Sequence, residues 1–527
     1  MTPELITYYV LGALAIILVS ALVFVFWKSE KKMSERWMIG LGVFVGLSLP
    51  VQQILKYNAM SMYADFAHWL GILESIRTTG YPDALNQEFL VSGTLNYLSV
   101  HFVPYIYAIA VPYLAVPRPE TLIALNAILM LSAAVPLYLL AKKMHGEKWF
   151  GLLAATCLML YPTFQYITLY EFEMLRFSIP ILFWMLYFWE SKRIKSFFLL
   201  AILACFLREE VGLTIAMFGV YVFLFEKSRK IGASVFLLGL GSFFAVTEFL
   251  MPLFRAGDYV HVAAGTFAQF GNTPLEVLQG IASRPMEALS VIVDLQKIAN
   301  IGMLLLPLLG VSLFAAKALV PAAANIGIGL ISDSYAHSSY LLYYVAPTVP
   351  FAFYAFIQGW PRLVQIVQSR FASITEVRLA RGFFAGVVSA SIIFGATPIA
   401  LQFWFQDVRP APFRTQNFHY STYLPEDRHG EVDTIVAQIP DEAIVSAQQF
   451  LHPRLFQKRG AMAFPDLYSR DGAYRAEYVL LDLANNGLGD DSPAYVSLEE
   501  MRIVTQDSGW ELIHSGNNGY LLYVRVQ

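Results

Sequence analysis

The stretch TLIALNAILMLSAAVPLYLLAKK, residues 121 to 143, holds the pattern that decides the fold of this chain. An apolar run close to the bilayer-spanning length of about 20 residues ends in two lysines. Lys and Arg concentrate in the cytoplasmic loops of membrane proteins, so the lysines place this end of the run inside the cell. We therefore expect a membrane-spanning helix that starts on the external face.

The overall composition also indicates a membrane protein. Of the 527 residues, 57% are hydrophobic and 14% are charged, and the mean hydropathy is +0.53. A net charge of -3 is too small to attract a strongly charged partner, so we expect no nucleic acid partner. Cys157 and Cys205 both lie in apolar runs, which indicates neither a disulfide framework nor a thiol metal site.

Basic clusters recur along the chain, always where consecutive apolar runs return to the same side. Together they predict a mainly α, polytopic bundle of about twelve spans with the start of the chain outside. The clusters are Lys28 to Arg36, Lys142 to Lys148, Lys192 to Lys195, Lys227 to Lys230, and Arg362 to Arg381. The predicted spans lie near residues 6–27, 37–56, 120–141, 149–167, 175–190, 196–207, 211–225, 231–250, 300–316, 318–331, 341–358 and 383–405.

Two apolar segments do not fit a simple alternation of spans across the membrane. Residues 101–116 would invert every later loop if they crossed, so we expect an external interfacial or re-entrant helix. The alternative is an ordinary span paired with a miscounted one. Residues 196–225 lie between Lys195 and Lys227, and same-side ends predict a hairpin with REE, residues 208–210, at its external tip. The alternative is one long buried helix.

After residue 405 the sequence becomes polar, and no later run is apolar enough to span. We therefore divide the chain into a transmembrane domain, residues 1–405, with a large external loop at 57–119, and an extracytoplasmic domain, residues 406–527. AIVSA, EYVLLDL and GYLLYVRV predict strands, and SLEEMRIVTQDSGW predicts a helix after a Ser cap. The second domain is thus expected to be a small soluble α/β module.

The first external loop carries two candidate polar sites. Asp65 lies on a helix predicted to rest on the membrane surface, with Phe66 and Trp69 on its apolar face. The alternative role for Asp65 is to cap a helix or sit in solvent. Further on, His101 and Tyr105 are one helical turn apart. His101 can bind an anionic group or simply place its polar tip in interfacial water.

Two shorter segments bring acids and arginines close to the lipid. YEFEMLR places Glu171, Glu173 and Arg176 between two spans, where the alternative is a local ion pair of Glu173 with Arg176. FLREEVGL places Arg208 beside Glu209 and Glu210 in otherwise apolar sequence. A guanidinium there suits a phosphate, and the alternative is a purely structural salt bridge.

The last external turn, ISDSYAHSSYLLYY, adds Asp333, His337 and Tyr340. Each can cap a helix or line a polar cavity. All these groups are expected on one face of the membrane. The chain has no Walker loop, Rossmann glycine pattern, HExxH or paired CxxC, which argues against a nucleotide-binding or zinc enzyme. The carboxylates allow Mg²⁺ or Mn²⁺, although their spacing does not demand a metal.

The order of these features resembles the GT-C class of multi-span glycosyltransferases: a span, an external loop beginning with an Asp, an H-x-x-P-like segment, then a span ending in basic residues. More closely, the chain resembles a largely uncharacterised family of predicted membrane proteins grouped with that class. The segments that carry this likeness are HFVPYIYAIAVPYLAVPRPETLIALNAILMLSAAVPLYLLAKKMHG, REE, YAHSSYLLYYVAPTVPFAFYAF, VSAQQFLHPRL and AEYVLLDL.

The resemblance implies a role for each candidate. Asp65 corresponds to the catalytic carboxylate, and Glu171 or Glu173 to an assisting acid, where relatives more often show Asp-Phe-His. Arg208 corresponds to the cation that grips the donor phosphate. The remaining candidates fall into two groups: His101 and His337 at the phosphate pocket, and Glu209, Glu210, Tyr105 and Tyr340 along its lining.

The implied activity is transfer of a sugar from a polyprenyl-phosphate donor to an acceptor glycan, lipid or protein on the extracytoplasmic face of the inner or plasma membrane. Asp65 would take the proton of the acceptor hydroxyl. Two rivals remain from other classes. A transporter or flippase would line a pathway with the same charges, and an envelope scaffold would act through its C-terminal domain.

Overall fold

The computed structural model describes residues 34–83, 96–255, 266–271, 274–405, 418–469, 472–484, 497–507, 509–516 and 518–526. The predicted first span, residues 6–27, lies outside them. The described helices of the bundle are α1 Glu35–Asn58, α2 Ala64–Thr79, α3 Tyr105–Ala115, α4 Pro119–Ser132, α5 Ala134–His145, α6 Lys148–Leu160, α7 Pro162–Leu169, α8 Ser178–Glu190, α9 Ile194–Cys205, α10 Glu209–Phe225, α11 Arg229–Ala245, α12 Pro274–Ser283, α13 Pro285–Ile292, α14 Leu295–Leu305, α15 Ala323–Ile331, α16 Val349–Arg370, α17 Glu376–Phe394 and α18 Leu401–Trp404.

Six helical stretches among the described residues are long and apolar enough to cross a membrane, and the number rises to eight if each of two bent pairs counts as one span. The expected polytopic helical bundle is confirmed. The predicted count of about twelve is higher because it includes residues 6–27 and several shorter helices. The six stretches are Glu35–Asn58, Pro119–His145, Arg229–Phe254, Val311–Ile331, Tyr335–Arg370 and Glu376–Phe394.

Backbone breaks explain where the predicted boundaries were wrong. The predicted span at 300–316 is interrupted because Leu309 and Gly310 both adopt positive φ, 52° and 66°. That left-handed conformation cannot continue a right-handed helix. The predicted span at 149–167 bends by 53° between α6 and α7, where Pro162 begins the second helix.

The segment around REE forms two helices rather than one. Helix α9 ends at Cys205 and α10 begins at Glu209, so Arg208 lies at the break. The rings of Phe197 and Phe218 lie 5.6 Å apart, a distance that a continuous helix of this length cannot give. The predicted hairpin is therefore the arrangement that the chain adopts.

The segment at 101–116 is too short to cross a bilayer. Its helix, α3, runs over 11 residues, or about 17 Å at 1.5 Å per residue, against a hydrocarbon core of about 30 Å. Pro104 immediately precedes the helix and Pro112 lies near its end. These dimensions agree with the expected interfacial or re-entrant segment.

The C-terminal domain is an α/β module, as expected. Its five strands are arranged in the order β2-β1-β3-β5-β4, with β1 parallel to β2 and β3, and β5 antiparallel to β3 and β4. The sequence predicts three of these strands and the Ser-capped helix but misses β2 and β4. The elements are α19 His429–Val436, β1 Ile444–Ala447, β2 Gly460–Ala463, β3 Tyr478–Asp482, α20 Leu498–Thr505, β4 Trp510–Ser515 and β5 Tyr520–Arg525.

The C-terminal domain packs against the segment that leads into α2. Met60 is buried in the same apolar cluster as Val445, Leu480 and Leu522 of the sheet domain. The guanidinium of Arg454 lies over the ring of Tyr57, 4.3 Å from its centroid, and donates to the carbonyl of the same residue. The start of α2 is thus held between the two domains.

Candidate active site

Asp65 lies in the first turn of α2, and its side chain is exposed. The opposite face of the helix is apolar, and Phe66 and Trp69 are each only 1% exposed. Trp69 packs edge-on against Phe172, with the ring centroids 5.4 Å apart. The sequence predicts that this face rests on the membrane surface; instead it packs into the protein core, because aromatic partners from later in the chain cover it.

The N-terminus of α2 is capped by a side chain from another loop. Tyr63 precedes the helix and gives no side-chain cap. Glu171 accepts hydrogen bonds from the backbone N–H of Tyr63 at 2.7 Å and of Phe66 at 2.8 Å, one on each carboxylate oxygen. A carboxylate is favoured here because the first N–H groups of a helix lack partners and carry partial positive charge.

Glu171 is buried, with 7% of its surface exposed. Burial, and then the negative charge of Asp65, raise the pKa of Glu171 to about 7, although the two backbone N–H bonds oppose this rise. Near neutral pH the Glu171 carboxyl is therefore divided between its protonated and ionised forms. Both of its oxygens are directed at α2.

Tyr170 joins this acidic segment to Asp65. Its hydroxyl donates a hydrogen bond to Oδ2 of Asp65. Burial, and then the Asp65 charge, raise the pKa of Tyr170 well above its usual range, so the phenol stays neutral and acts as the donor. The hydrogen bond fixes the Asp65 carboxylate at one oxygen.

Arg208 lies at the break between α9 and α10 and is 7% exposed. Its guanidinium lies 3.2 Å from Glu210 and 3.9 Å from Glu173. The rings of Tyr343 and Tyr344 lie under the guanidinium, with centroids at 5.7 and 5.3 Å. Carboxylates and aromatic faces both stabilise a buried cation, which explains how the hairpin tip tolerates this charge.

A chain of contacts connects Asp65 with Arg208. The Tyr170 hydroxyl bonds Asp65, the Tyr170 ring lies 5.1 Å from that of Tyr343, and Tyr343 lies against Arg208. The structure therefore brings together a carboxylate and a guanidinium from separate loops. Glu173 belongs to the same site through Arg208, and its described ion pair is with this residue rather than with Arg176, the partner that the sequence left as an alternative.

His101 joins the site through the hairpin tip. Its Nδ1 lies 2.8 Å from Oε1 of Glu209. Burial, the largest single effect, lowers the pKa of His101, and so does Arg208. Glu209 and Glu173 outweigh both, so the net pKa of His101 lies above its ordinary value of 6.5. The His101 imidazole is thus paired with the carboxylate of Glu209.

His337 approaches from the last external turn. Its ring packs on Tyr344, with centroids 4.3 Å apart, and its Nδ1 lies 3.1 Å from the hydroxyl of Ser332. Because Tyr344 also lies against Arg208, His337 borders the same cation. The role of His337 at the phosphate pocket stays a prediction.

Two of the predicted lining residues make contacts elsewhere. The Tyr105 hydroxyl donates to the backbone carbonyl of Leu203 in α9, at 2.8 Å. Tyr340 is fully buried, and its ring packs on that of Tyr166 at 5.9 Å. These contacts hold helices together and do not involve Asp65 or Arg208.

Two contributors were not predicted from the sequence, Tyr170 and Tyr343, which link the charges. Arg176, which the sequence pointed out as a possible partner of Glu173, is fully buried. Arg176 donates to Asn126 at 2.9 Å and to the carbonyl of Tyr170 at 3.2 Å. Arg176 stood out in the sequence because an arginine next to two acids rarely lies in apolar surroundings without a role.

The described part of the chain contains no group of three or more His, Cys, Asp or Glu side chains suited to a metal ion. Glu171 already accepts two backbone N–H groups, and Glu173 and Glu210 lie against Arg208. These residues do not form a ligand set for Mg²⁺ or Mn²⁺.

Fold and site together define a polytopic membrane protein with a cluster of acids, tyrosines and arginines between the loops that connect its helices and the hairpin tip. The chain belongs to the family described as predicted membrane protein (DUF2079), whose model matches residues 74–522. The matched region includes Glu171, Glu173 and Arg208 and begins after Asp65. This membership confirms the family expected from the sequence.

Among solved structures, the chain is similar to the crystal structure of ArnT from Cupriavidus metallidurans in the apo state. The alignment covers 92% of this chain and 98% of that chain, with 11% sequence identity and a TM-score of 0.44. The search of curated proteins gives no match.

Proposed function

We propose that this protein is a membrane glycosyltransferase that moves a sugar from a polyprenyl-phosphate donor to an acceptor hydroxyl. The observation that carries the proposal is the contact chain from Asp65 through Tyr170 and Tyr343 to Arg208. Sugar transfer from a lipid phosphate needs a base for the acceptor and a cation for the departing phosphate. This site offers both within one cluster.

Asp65 is the proposed general base. Its carboxylate is exposed, so an acceptor can approach it, whereas Glu171 and Glu173 are both 7% exposed. As the acceptor oxygen bonds to the anomeric carbon, its proton passes to Asp65. The bond between that carbon and the phosphate oxygen breaks, and the electron pair leaves with the polyprenyl phosphate.

Arg208 is the proposed phosphate ligand. Its Nε lies 3.2 Å from Glu210 and its Nη1 3.9 Å from Glu173, but neither nitrogen makes a hydrogen bond of good geometry within the described residues. A phosphate that displaces these carboxylates would therefore find donors on the guanidinium. A preorganised cation of this kind lowers the barrier by roughly 3 kcal/mol.

His101 pairs with Glu209, the residue that follows Arg208, and His337 packs on Tyr344, which lies against Arg208. Both imidazoles can add hydrogen bonds to the phosphate oxygens.

The proposed site faces the extracytoplasmic side. This orientation rests on the basic clusters, which put the loops of Asp65, Glu171 and Arg208 opposite the lysine-rich ends of the spans. The lipid tail of the donor would remain in the bilayer while its phosphate reaches Arg208. The acceptor would enter from the aqueous side.

Release of free polyprenyl phosphate tests the proposal. The full chain in nanodiscs is supplied with a panel of polyprenyl-phosphate hexoses and pentoses, and membranes of the source cell that lack this protein supply the acceptor. We expect release by the wild type and loss of release in Asp65→Asn. Glu120→Gln is the control, because Glu120 is an exposed acid in the first turn of another helix, α4.

Unchanged release in the Asp65→Asn protein would remove this carboxylate from the reaction. Movement of an intact donor across the bilayer, without cleavage of its phosphate bond, would instead identify the transporter or flippase that the sequence left as an alternative.

A further inference from the structure

Asp65 depends on a side chain from a different loop for its orientation. Its own helix places it in an exposed first turn, where a short carboxylate has several rotamers available. The Tyr170 hydroxyl removes that freedom by donating to Oδ2. The groups that hold Tyr170 in place therefore also determine the orientation of the Asp65 carboxylate.

The backbone of Tyr170 is held by a buried polar bridge. Gln53 of α1 donates to the carbonyl of Thr168 at 2.8 Å and to that of Tyr170 at 3.2 Å. Arg176 donates to the same Tyr170 carbonyl and to Asn126 of α4. The Tyr170 carbonyl thus accepts from one span and one arginine, and Asn126 of a second span bonds that arginine.

The bridge is closed and fully inside the protein. Asn126 donates to Gln53 at 2.8 Å and accepts from Arg176, and these three residues are at most 1% exposed. The Arg176 guanidinium also lies against the rings of Tyr170 and Phe172, at 5.9 and 5.8 Å. Burying a cation in a membrane bundle costs free energy, so a buried arginine such as Arg176 is expected to have a structural or functional role.

We propose that Tyr170 is a positioning residue for Asp65, and that the Gln53, Asn126 and Arg176 bridge sets the position of Tyr170. The inference rests on the proposed function for its catalytic consequence. The phenol fixes one carboxylate oxygen and stabilises the ionised form of Asp65, since a hydrogen bond to a charged acceptor is stronger than one to its neutral form. Tyr170 itself takes no part in bond making or breaking.

The first test removes only the hydroxyl. In Tyr170→Phe we expect kcat to fall about ten-fold with an unchanged KM for the donor, and the acid limb of the pH profile to move up by about one pH unit. Tyr113→Phe is the matched control, because its hydroxyl donates at 3.1 Å to Glu74, a carboxylate further along the same helix. We expect that control to keep the wild-type kcat and pH profile.

The second test does not require turnover. Carbodiimides react with protonated carboxyls, so mass spectrometry of labelled Asp65 across a pH series reports when this side chain takes up a proton. We expect the pH of half-maximal labelling to rise by about one unit in Tyr170→Phe and to stay constant in Tyr113→Phe. Site-specific 3-fluorotyrosine at position 170 should lower the pH of half-maximal labelling, because its hydroxyl is a stronger hydrogen-bond donor than that of tyrosine.

These readouts separate the two proposals. A labelling shift without any Asp65-dependent transfer supports the positioning role and overturns the glycosyltransferase proposal. Asp65-dependent transfer with the same pH profile and the same labelling in wild type and Tyr170→Phe overturns the positioning role. The fluorotyrosine protein keeps the hydroxyl and exchanges only one ring hydrogen for fluorine, so it decides the question if the phenylalanine variant fails to fold.

Discussion

Asp65 and Glu171 are two neighbouring acids with opposite surroundings. Asp65 is exposed and bonded by a tyrosine hydroxyl, whereas Glu171 is buried and has a backbone N–H on each oxygen. The comparison teaches that an acid in a candidate site can serve the substrate or the scaffold, and that its hydrogen-bond partners distinguish the two roles. In our account Asp65 meets the substrate and Glu171 holds the helix that carries it.

The sharpest way to break this comparison is to neutralise each acid in turn. We expect Asp65→Asn to lower kcat about a thousand-fold, because general-base catalysis commonly contributes that much. In Glu171→Gln, kcat at pH 8 should fall less than ten-fold when it is normalised to folded protein by size-exclusion chromatography. Equal losses in the two variants would make Glu171 a second catalytic acid.

The pH dependence of stability tests the structural role of Glu171. Its pKa lies at about 7 in the folded protein, against 4.5 for the free side chain, so the folded state binds the proton more tightly. The stability contributed by this proton is fully present below pH 4.5 and is lost as pH rises through 7. The shift corresponds to about 3 kcal/mol.

We therefore expect wild type to be more stable than Glu171→Gln at pH 5, with a gap in melting temperature that narrows toward pH 8. Thermal unfolding in nanodiscs at pH 5 and pH 8 measures this difference in melting temperature. Asp65→Asn is the control for the loss of a neighbouring charge. A gap that widens with rising pH would contradict the assigned environment of Glu171.

Arg208 lies at the other end of the site, and substitutions there can remove its charge or only its planar shape. We expect Arg208→Gln to lower kcat about a hundred-fold and Arg208→Lys about ten-fold, because lysine keeps the charge but not the planar pair of donors. Arg284→Gln is the control, since Arg284 is exposed, forms a local ion pair with Glu287 and lies over the ring of Phe270. Equal activity of all three variants would exclude Arg208 from phosphate binding.

The smallest expected effect concerns Glu210, which lies 3.2 Å from Arg208. A phosphate must compete with this carboxylate, so Glu210→Gln should tighten the binding of polyprenyl phosphate about five-fold. Native mass spectrometry of the nanodisc complex measures the change, with Glu287→Gln as the control. Weaker binding would show that Glu210 orients Arg208 for the lipid rather than competing with it.

Much of the fold could be predicted from the sequence, because apolar length and basic clusters report directly on membrane crossing. The hairpin tip at Arg208 followed from the same rule. The break at Leu309 and Gly310 did not, since hydropathy carries no information on backbone φ. The strand at Gly460–Ala463 was missed because GAMA is short and has no β-branched residue.

The candidate site was only partly predictable. Charged residues such as Asp65 and Arg208 are conspicuous in apolar sequence, which is why they could be proposed without a structure. The linking residues Tyr170 and Tyr343 were not, because aromatic residues make up 15% of the chain and a single tyrosine carries little signal. The capping role of Glu171 depends on a contact across 105 positions of sequence, which no local pattern reveals.

A cryo-electron microscopy map of the full chain in nanodiscs with polyprenyl phosphate tests the central claim most directly. We expect phosphate density against the Arg208 guanidinium, in the same cavity as the Asp65 carboxylate. Phosphate density at a different place, or Asp65 and Arg208 opening into separate compartments, would contradict it.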